Sequence, residues 1–301
     1  MFKHLLIPLD GSELAEAVLP AAGDLAARAG ARVTLLHVIE RKAPESVHGQ
    51  HHLRDASEAE EYLREAARHF PAGVEVNRHV HVREVRDVAH SLADHADELG
   101  PDLVVMCSHG EGRLRDWLSG NIPQQVVHQG LAPVLLLRKG AGGEVAFPFR
   151  RVLAPLDGAP EHEQGLAAAE SLARLCGAEM KLVRVVPTVS ALTGEAAASS
   201  AFLPESTLAM LSLEESEGAE YLAPHLERVR AEGIAATALV CRGDPCEMIG
   251  EAGEQWGADL VALGTHGRAG TDAFWSGSLA QRLIRRLPVS FLLTPVGAGR
   301  Q

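Results

Sequence analysis

The chain is short of the features that would place it outside the cell, in a membrane or on nucleic acid. Its 301 residues contain four cysteines, at 107, 176, 241 and 246, and no two of them form a CxxC pair. A chain of this length has core enough to fold without disulfides, so the thiols are expected to be buried as small hydrophobes. No window approaches the ~18 consecutive apolar residues of a membrane span. The N-terminal MFKHLLIPLDGSE reaches a charged turn too early for the apolar stretch of a signal peptide. These absences describe a cytoplasmic protein with no membrane partner. Basic residues are also few: 28 Lys and Arg against 40 Asp and Glu leave a formal charge of -12, which argues against a general affinity for nucleic acid or anionic lipid. Any anion bound by this chain must therefore be held by a local site. With 46% apolar and 4% aromatic residues, what remains is a globular chain, more comfortable as two domains than one.

Those two domains are copies of each other. Residues 3–12, KHLLIPLDGS, match residues 150–159, RRVLAPLDGA, and Asp10 and Asp157 are 147 positions apart. GARVTLLHVI at 30–39 matches GAEMKLVRVV at 177–186 with the same offset, and VVMCSHGEGRLRDWLSGN at 104–121 matches VALGTHGRAGTDAFWSGS at 261–278 with an offset of 157. The ten extra residues fall mid-copy, where the second half carries the Ala- and Ser-rich stretch 187–208. The linker AGGEVAFPF (141–149) divides a domain at 1–140 from one at 150–301.

Within each copy a short apolar run (HLLIPL or RVLAPL) meets Asp-Gly and then a stretch with apolar residues three and four apart, including Leu14, Val18, Ala21, Ala22, Leu25 and Ala26. That is strand, turn and helix. Gly30 or Gly177 is placed to end the helix in the left-handed conformation, and a second strand follows. Next come a helix at 56–69 or 214–232, a strand at 74–82 or 235–243, a helix at 86–99 or 244–256, an apolar strand, a helix at 121–130 or 278–287, and a last strand. The expected fold is α/β: two tandem doubly wound domains, each a five-stranded, mostly parallel sheet with helices on both faces. Ligands of such sheets lie beyond the C-terminal strand ends, where the strand order reverses.

The second copy's fourth strand runs into a loop with Gly264, two residues, Gly267, nine residues, Gly277 and Ser278. Glycines let successive N–H groups converge on an anion, and a helix starting after Gly277 adds its own unpaired donors. Ser278 suits an N-cap and a hydroxyl donor to phosphate. A capped turn would account for a lone glycine pair. Three glycines and a Ser at the ligand end of the sheet favour phosphate binding. The loop has no GK[ST] and no GxGxxG follows the first strand, so neither a P-loop ATPase nor a dinucleotide dehydrogenase fits.

The G-x2-G-x9-G-[ST] loop, the Pro-x-Asp after the first strand and the β/α pattern together resemble the universal stress protein family in a tandem form. The resemblance implies the adenine nucleotide alpha-hydrolase-like fold and an adenine nucleotide partner: ATP, or AMP or ADP. It implies that Pro155 and Asp157 flank the adenosine, that Val185 offers backbone contacts to adenine, and that Gly264, Gly267, Gly277 and Ser278 hold ribose and phosphates, with His266 and Arg268 within reach. It also implies an internal pseudo-dimer through the last strands, with a homodimer as an alternative. The first copy departs from this pattern. Its positions are Pro8, Asp10, Val38, Cys107, Gly110, Gly120 and Asn121, so the first loop glycine is Cys and the closing hydroxyl residue is Asn. Nucleotide binding is therefore expected mainly in the second half.

Other residues invite weaker readings. Asp157 could hold a magnesium ion. His79 and His81 alternate along a strand and so share a face, while His48, His51 and His52 cluster in a loop; a metal site is the less favoured reading of both. Cys107 precedes a helix, where a thiol becomes more acidic, although VVM before it suggests the buried end of a strand. As a whole the sequence reads as an ATP-binding stress-response regulator or sensor. A slow magnesium-dependent ATPase and an interaction scaffold using 187–213 are the alternatives.

Overall fold

The computed structural model describes residues 2–41, 46–47, 50–51, 53–108, 126–127, 132–140, 142–160, 162–186, 188, 204–266 and 279–296. The first copy supplies β1 (His4–Pro8), α1 (Glu13–Glu16), α2 (Leu19–Ala29), β2 (Arg32–Glu40), the brief antiparallel pair β3 (Ser46–Val47) and β4 (Gln50–His51), α3 (Ala56–Ala67), β5 (Val76–Val85), α4 (Val88–Leu99), β6 (Leu103–Ser108) and β7 (Val134–Arg138). The second supplies β8 (Arg151–Pro155), α5 (Gln164–Cys176), β9 (Glu179–Val186), α6 (Pro204–Ala231), β10 (Ala236–Arg242), α7 (Pro245–Trp256), β11 (Leu260–His266), α8 (Leu279–Arg286) and β12 (Ser290–Val296).

Contacts divide the chain into two compact units. One is Met1–Pro148 with Gly264–Thr271 and Ser290–Gln301, and the other is Phe149–Leu263 with Asp272–Val289. In the first unit the strand order is β12-β7-β6-β1-β2-β5, all parallel except β12, which pairs antiparallel with β7 (Leu292 opposite Leu135). The last strand of the second copy is thus grouped with the first unit. In the second unit the order is β10-β9-β8-β11, all parallel. The order reverses between β1 and β6 in one unit and between β8 and β11 in the other, which makes those strand ends the places where a ligand is expected.

The central strands lack alternation because both their faces are covered. Leu5, Leu6, Ile7, Leu35 and Leu36 are wholly buried in the first unit, as are Val152, Leu153, Leu182 and Val183 in the second. Each large side chain of this kind contributes about 1.5–3 kcal/mol by leaving water. Polar devices recur at matched positions as well. Asp102 accepts from the backbone N–H of Lys3 (2.6 Å) and His4 (2.9 Å), and Asp259 accepts from Arg150 (2.7 Å) and Arg151 (2.9 Å), so each carboxylate clamps the start of its copy's first strand. Asp87 and Asp244 cap α4 and α7 by accepting from His90 and Glu247. Gly30 (φ 58°) and Gly177 (φ 68°) end α2 and α5 in the left-handed conformation, as their positions suggested.

Three elements differ from expectation. The single helix expected after Asp10 is two, because Pro20 cannot donate to the preceding turn and instead sits in the first turn of α2. Helix α6 begins at Pro204, ten residues before 214, so the extra segment of the second copy is partly helical. Strand β5 continues to Val85, past the expected 82. Of the helix expected at 121–130, only Val126 and Val127 lie within the described residues; both are helical and buried.

Candidate functional site

Sharp turns follow the first strand of each copy, and the Asp-Gly in each has a local cause. Asp10 Oδ1 accepts from the backbone N–H of Ser12 (3.0 Å) and from its hydroxyl (2.6 Å), while Ser12 Oγ accepts from Ala15 N–H (3.1 Å) to cap α1. Asp157 Oδ1 accepts from Ala159 N–H (3.0 Å), and its other oxygen accepts from His162 Nδ1 (2.5 Å). Each aspartate thus braces its own turn, and Asp157, over half exposed, also holds His162.

In the first unit, Pro8 and Asp10 follow β1, Val38 lies near the end of β2 and Cys107 lies near the end of β6, so four candidates meet at the reversal of strand order. Burial pushes the Cys107 thiol up to about 11 despite the nearby Lys139. This runs against the acidic-thiol reading: Cys107 nears the end of its strand, where burial favours the protonated thiol. Gly110, Gly120 and Asn121 lie outside the described residues.

In the second unit, Pro155 ends β8, Asp157 follows it and Val185 is next to last in the adjacent β9. Strand β11 runs parallel to β8, with Leu260 opposite Val152 and Val261 opposite Leu153; its last residues, Gly264 and His266 among them, are grouped with the first unit. Gly267, Arg268, Gly277 and Ser278 lie outside the described residues.

The second unit adds side chains that sequence reasoning missed. Gly158 has φ 86°, and a Cβ there would stand 3.0–3.3 Å from the Arg184 guanidinium. Arg184 Cζ lies 5.6 Å from the Tyr221 ring centroid. The Tyr221 hydroxyl donates to Glu163 Oε1 (2.9 Å), and His225 Nε2 is 3.4 Å from the same oxygen. Burial and the Glu163 carboxylate push the Tyr221 hydroxyl above the ordinary tyrosine range, so it remains a donor. The one available signal was a charged residue inside the apolar run KLVRVV, where the first copy has His37.

Other predicted features resolve differently. His79 and His81 do share a face, and His95 from α4 joins them. Its ring stands edge-on to both at 4.9 and 4.8 Å, with a 2.9 Å hydrogen bond to His81. His95 turns one ring nitrogen to His81 and the other to Glu98, and among the described residues no group of three or more His, Cys, Asp or Glu is arranged to hold a metal ion. The metal reading of this pair is therefore corrected. His48 and His52 lie outside the described residues, and His51 belongs to β4. A cavity of about 770 Å³ opens in the first unit beside Lys3, Arg32, Glu75 and Asp102. It sits at the starts of β1 and β2, the opposite edge from the candidate residues.

Comparison with known proteins agrees with the repeat and the fold. The family model described as the universal stress protein family matches residues 1–138 and again 148–295. The chain belongs to that family, and it carries the family's domain twice. It is 30% identical over 137 residues to a universal stress protein of Synechocystis, covering 46% of this chain and 86% of that relative. It is 28% identical to one of Thermus aquaticus over 151 residues, covering 48% of this chain and 98% of the relative. A solved universal stress protein from Archaeoglobus fulgidus superposes with a TM-score of 0.67 at 21% identity, covering 98% of this chain and 96% of that one. Among the described residues no helix is long and apolar enough to cross a membrane.

Proposed function

We propose that the chain binds an adenine nucleotide, ATP foremost, through its second copy, and that it acts as a stress-response regulator or sensor rather than a catalyst. The observation that carries this reading is the open end of β8 and β9. There the Asp157–Gly158 turn and Val185 stand side by side, with Asp157 half exposed and a cation beside Gly158. At the matching place in the first copy, Asp10 turns Oδ1 to Ser12, and the position of Arg184 is held by the buried His37. The glycines of 264–277 and Ser278 complete the reading from the sequence, with backbone donors for the phosphates. AMP and ADP would use the same adenosine contacts.

Magnesium-dependent hydrolysis is the enzymatic alternative. It would require Asp157 to exchange His162 for a metal. Native mass spectrometry of the purified chain tests the binding reading, with one adenine nucleotide per chain expected. No nucleotide, even after incubation with ATP, would overturn it. Incubation with ATP and magnesium should return intact ATP; multiple turnovers abolished by Asp157→Ala would favour the hydrolase instead.

A further inference from the structure

Among the described residues Arg184 finds no acceptor to match its five donors. Among the described residues it forms no hydrogen bond or ion pair with a carboxylate, and its Nε is closed off from solvent without a partner. The acids around the same turn are committed elsewhere: Asp157 to Ala159 N–H and His162, Glu163 to Tyr221 and His225. The guanidinium is nevertheless held in place. Tyr221 lies under it, and Gly158, lacking a Cβ, lets it approach the backbone that follows Asp157. A guanidinium nitrogen removed from water with nothing to donate to is costly, and its planar fork suits a phosphate or carboxylate. The cation is thus fixed at the ligand end of the sheet, beside the acid read as facing the ribose, and among the described residues it meets no anion.

We infer that Arg184 binds a phosphoryl group on the ribose side of the nucleotide in the second copy, an inference that rests on the nucleotide-binding reading above. Adenosine should then gain nothing from Arg184, AMP should gain the full contribution, and ATP should gain about as much as AMP. The first copy has no counterpart. His37 occupies the matching position, is 2% exposed and donates from Nδ1 to the Leu9 carbonyl (2.7 Å).

Calorimetric titration of the full chain with adenosine, AMP and ATP tests this in the wild type, Arg184→Gln and Arg184→Lys. In Arg184→Gln, AMP and ATP should each bind about tenfold or more weakly, since a charge-assisted contact is lost, while adenosine binds as before. Arg184→Lys should recover part of the loss and steepen it with added salt, because the charge remains and the fork does not. The inference is overturned if AMP binds Arg184→Gln as tightly as wild type. It is equally overturned if adenosine and AMP weaken together in both variants, since Arg184 then only braces the turn. Failure of the wild type to bind any of the three would remove the nucleotide reading itself, a result distinct from either.

Discussion

One residue before Val38 the first copy carries His37, and one residue before Val185 the second carries Arg184; the two surroundings have diverged around that difference. His37 is sealed beneath the first-strand turn and donates to the Leu9 carbonyl. Arg184 instead emerges between Gly158 and Tyr221, its charge unanswered by the neighbouring acids. The strand pairing, helix caps and aspartate clamps are shared by the copies, and the groups at the ligand edge are not. Duplication preserved what holds the sheet together and left each ligand edge free to change.

Exchanging these two residues should break the comparison most severely. His37→Arg forces a cation into a space sealed from water and is expected to destabilise the fold by about 3 kcal/mol. Arg184→His places a smaller ring in a roomier, partly hydrated site and should cost about 1 kcal/mol or less. Urea denaturation of both variants would measure this. Equal losses would show that the two environments are interchangeable.

The loop glycines come next. Gly267→Val is expected to weaken ATP binding by about 100-fold, or roughly 2.7 kcal/mol, by putting a branched side chain where backbone donors must approach phosphate. Gly110→Val should leave ATP binding unchanged, because Cys107 and Asn121 have already altered that loop. Calorimetry on the two variants decides, and equal losses would end the asymmetry between the copies.

Much of the fold could be read from the sequence because repetition doubled every signal. Asp-Gly after a short apolar run, helix-ending glycines and unalternating strands each occurred twice, 147 or 157 positions apart. The pairing of β12 with β7 left no such mark in the residues, since an apolar strand does not announce its neighbour, and only the family resemblance implied it. At the site, Asp157 and Val185 were legible because turn chemistry and strand order are local. Arg184, Tyr221 and Glu163 come from three separate elements, and only their packing brings them together. The twelve histidines of the first half, of the fifteen in the chain, drew attention to His79 and His81, but not to His95, which arrives from another helix.

Helix-ending glycines supply a control in which the copies should agree. Gly30 and Gly177 both have positive φ, and a Cβ on either would meet no atom within 4 Å. Alanine at each should therefore cost only the left-handed backbone strain, about 1 kcal/mol. Thermal unfolding of Gly30→Ala and Gly177→Ala should give matching decreases. A clear difference would mean that the copies differ in their scaffold as well as in their sites.

The smallest expected effect belongs to the histidines of the first unit, which have no equivalent in the second. His79 and His81 are held below the usual 6.5, first by burial and then by the charge of His95, with Arg83 acting on His81 in the same direction and Glu98 opposing. His95 directs Nδ1 to Glu98 (3.3 Å) and Nε2 to His81 Nδ1 (2.9 Å), so a proton added to His79 or His81 is taken up in a crowded, part-buried cluster. Because the folded pKa values are lowered, the unfolded chain binds protons first as pH falls. The stabilisation is full above the unfolded value near 6.5 and declines as pH drops through it toward the folded values. Partial hydration and Glu98 keep the effect modest. Denaturation midpoints at pH 7.5 and 5.5 should separate less in a His79→Gln/His81→Gln double variant than in the wild type. An unchanged separation would place the pH sensitivity elsewhere, with buried His4 of β1, also held low by burial, as the next residue to replace.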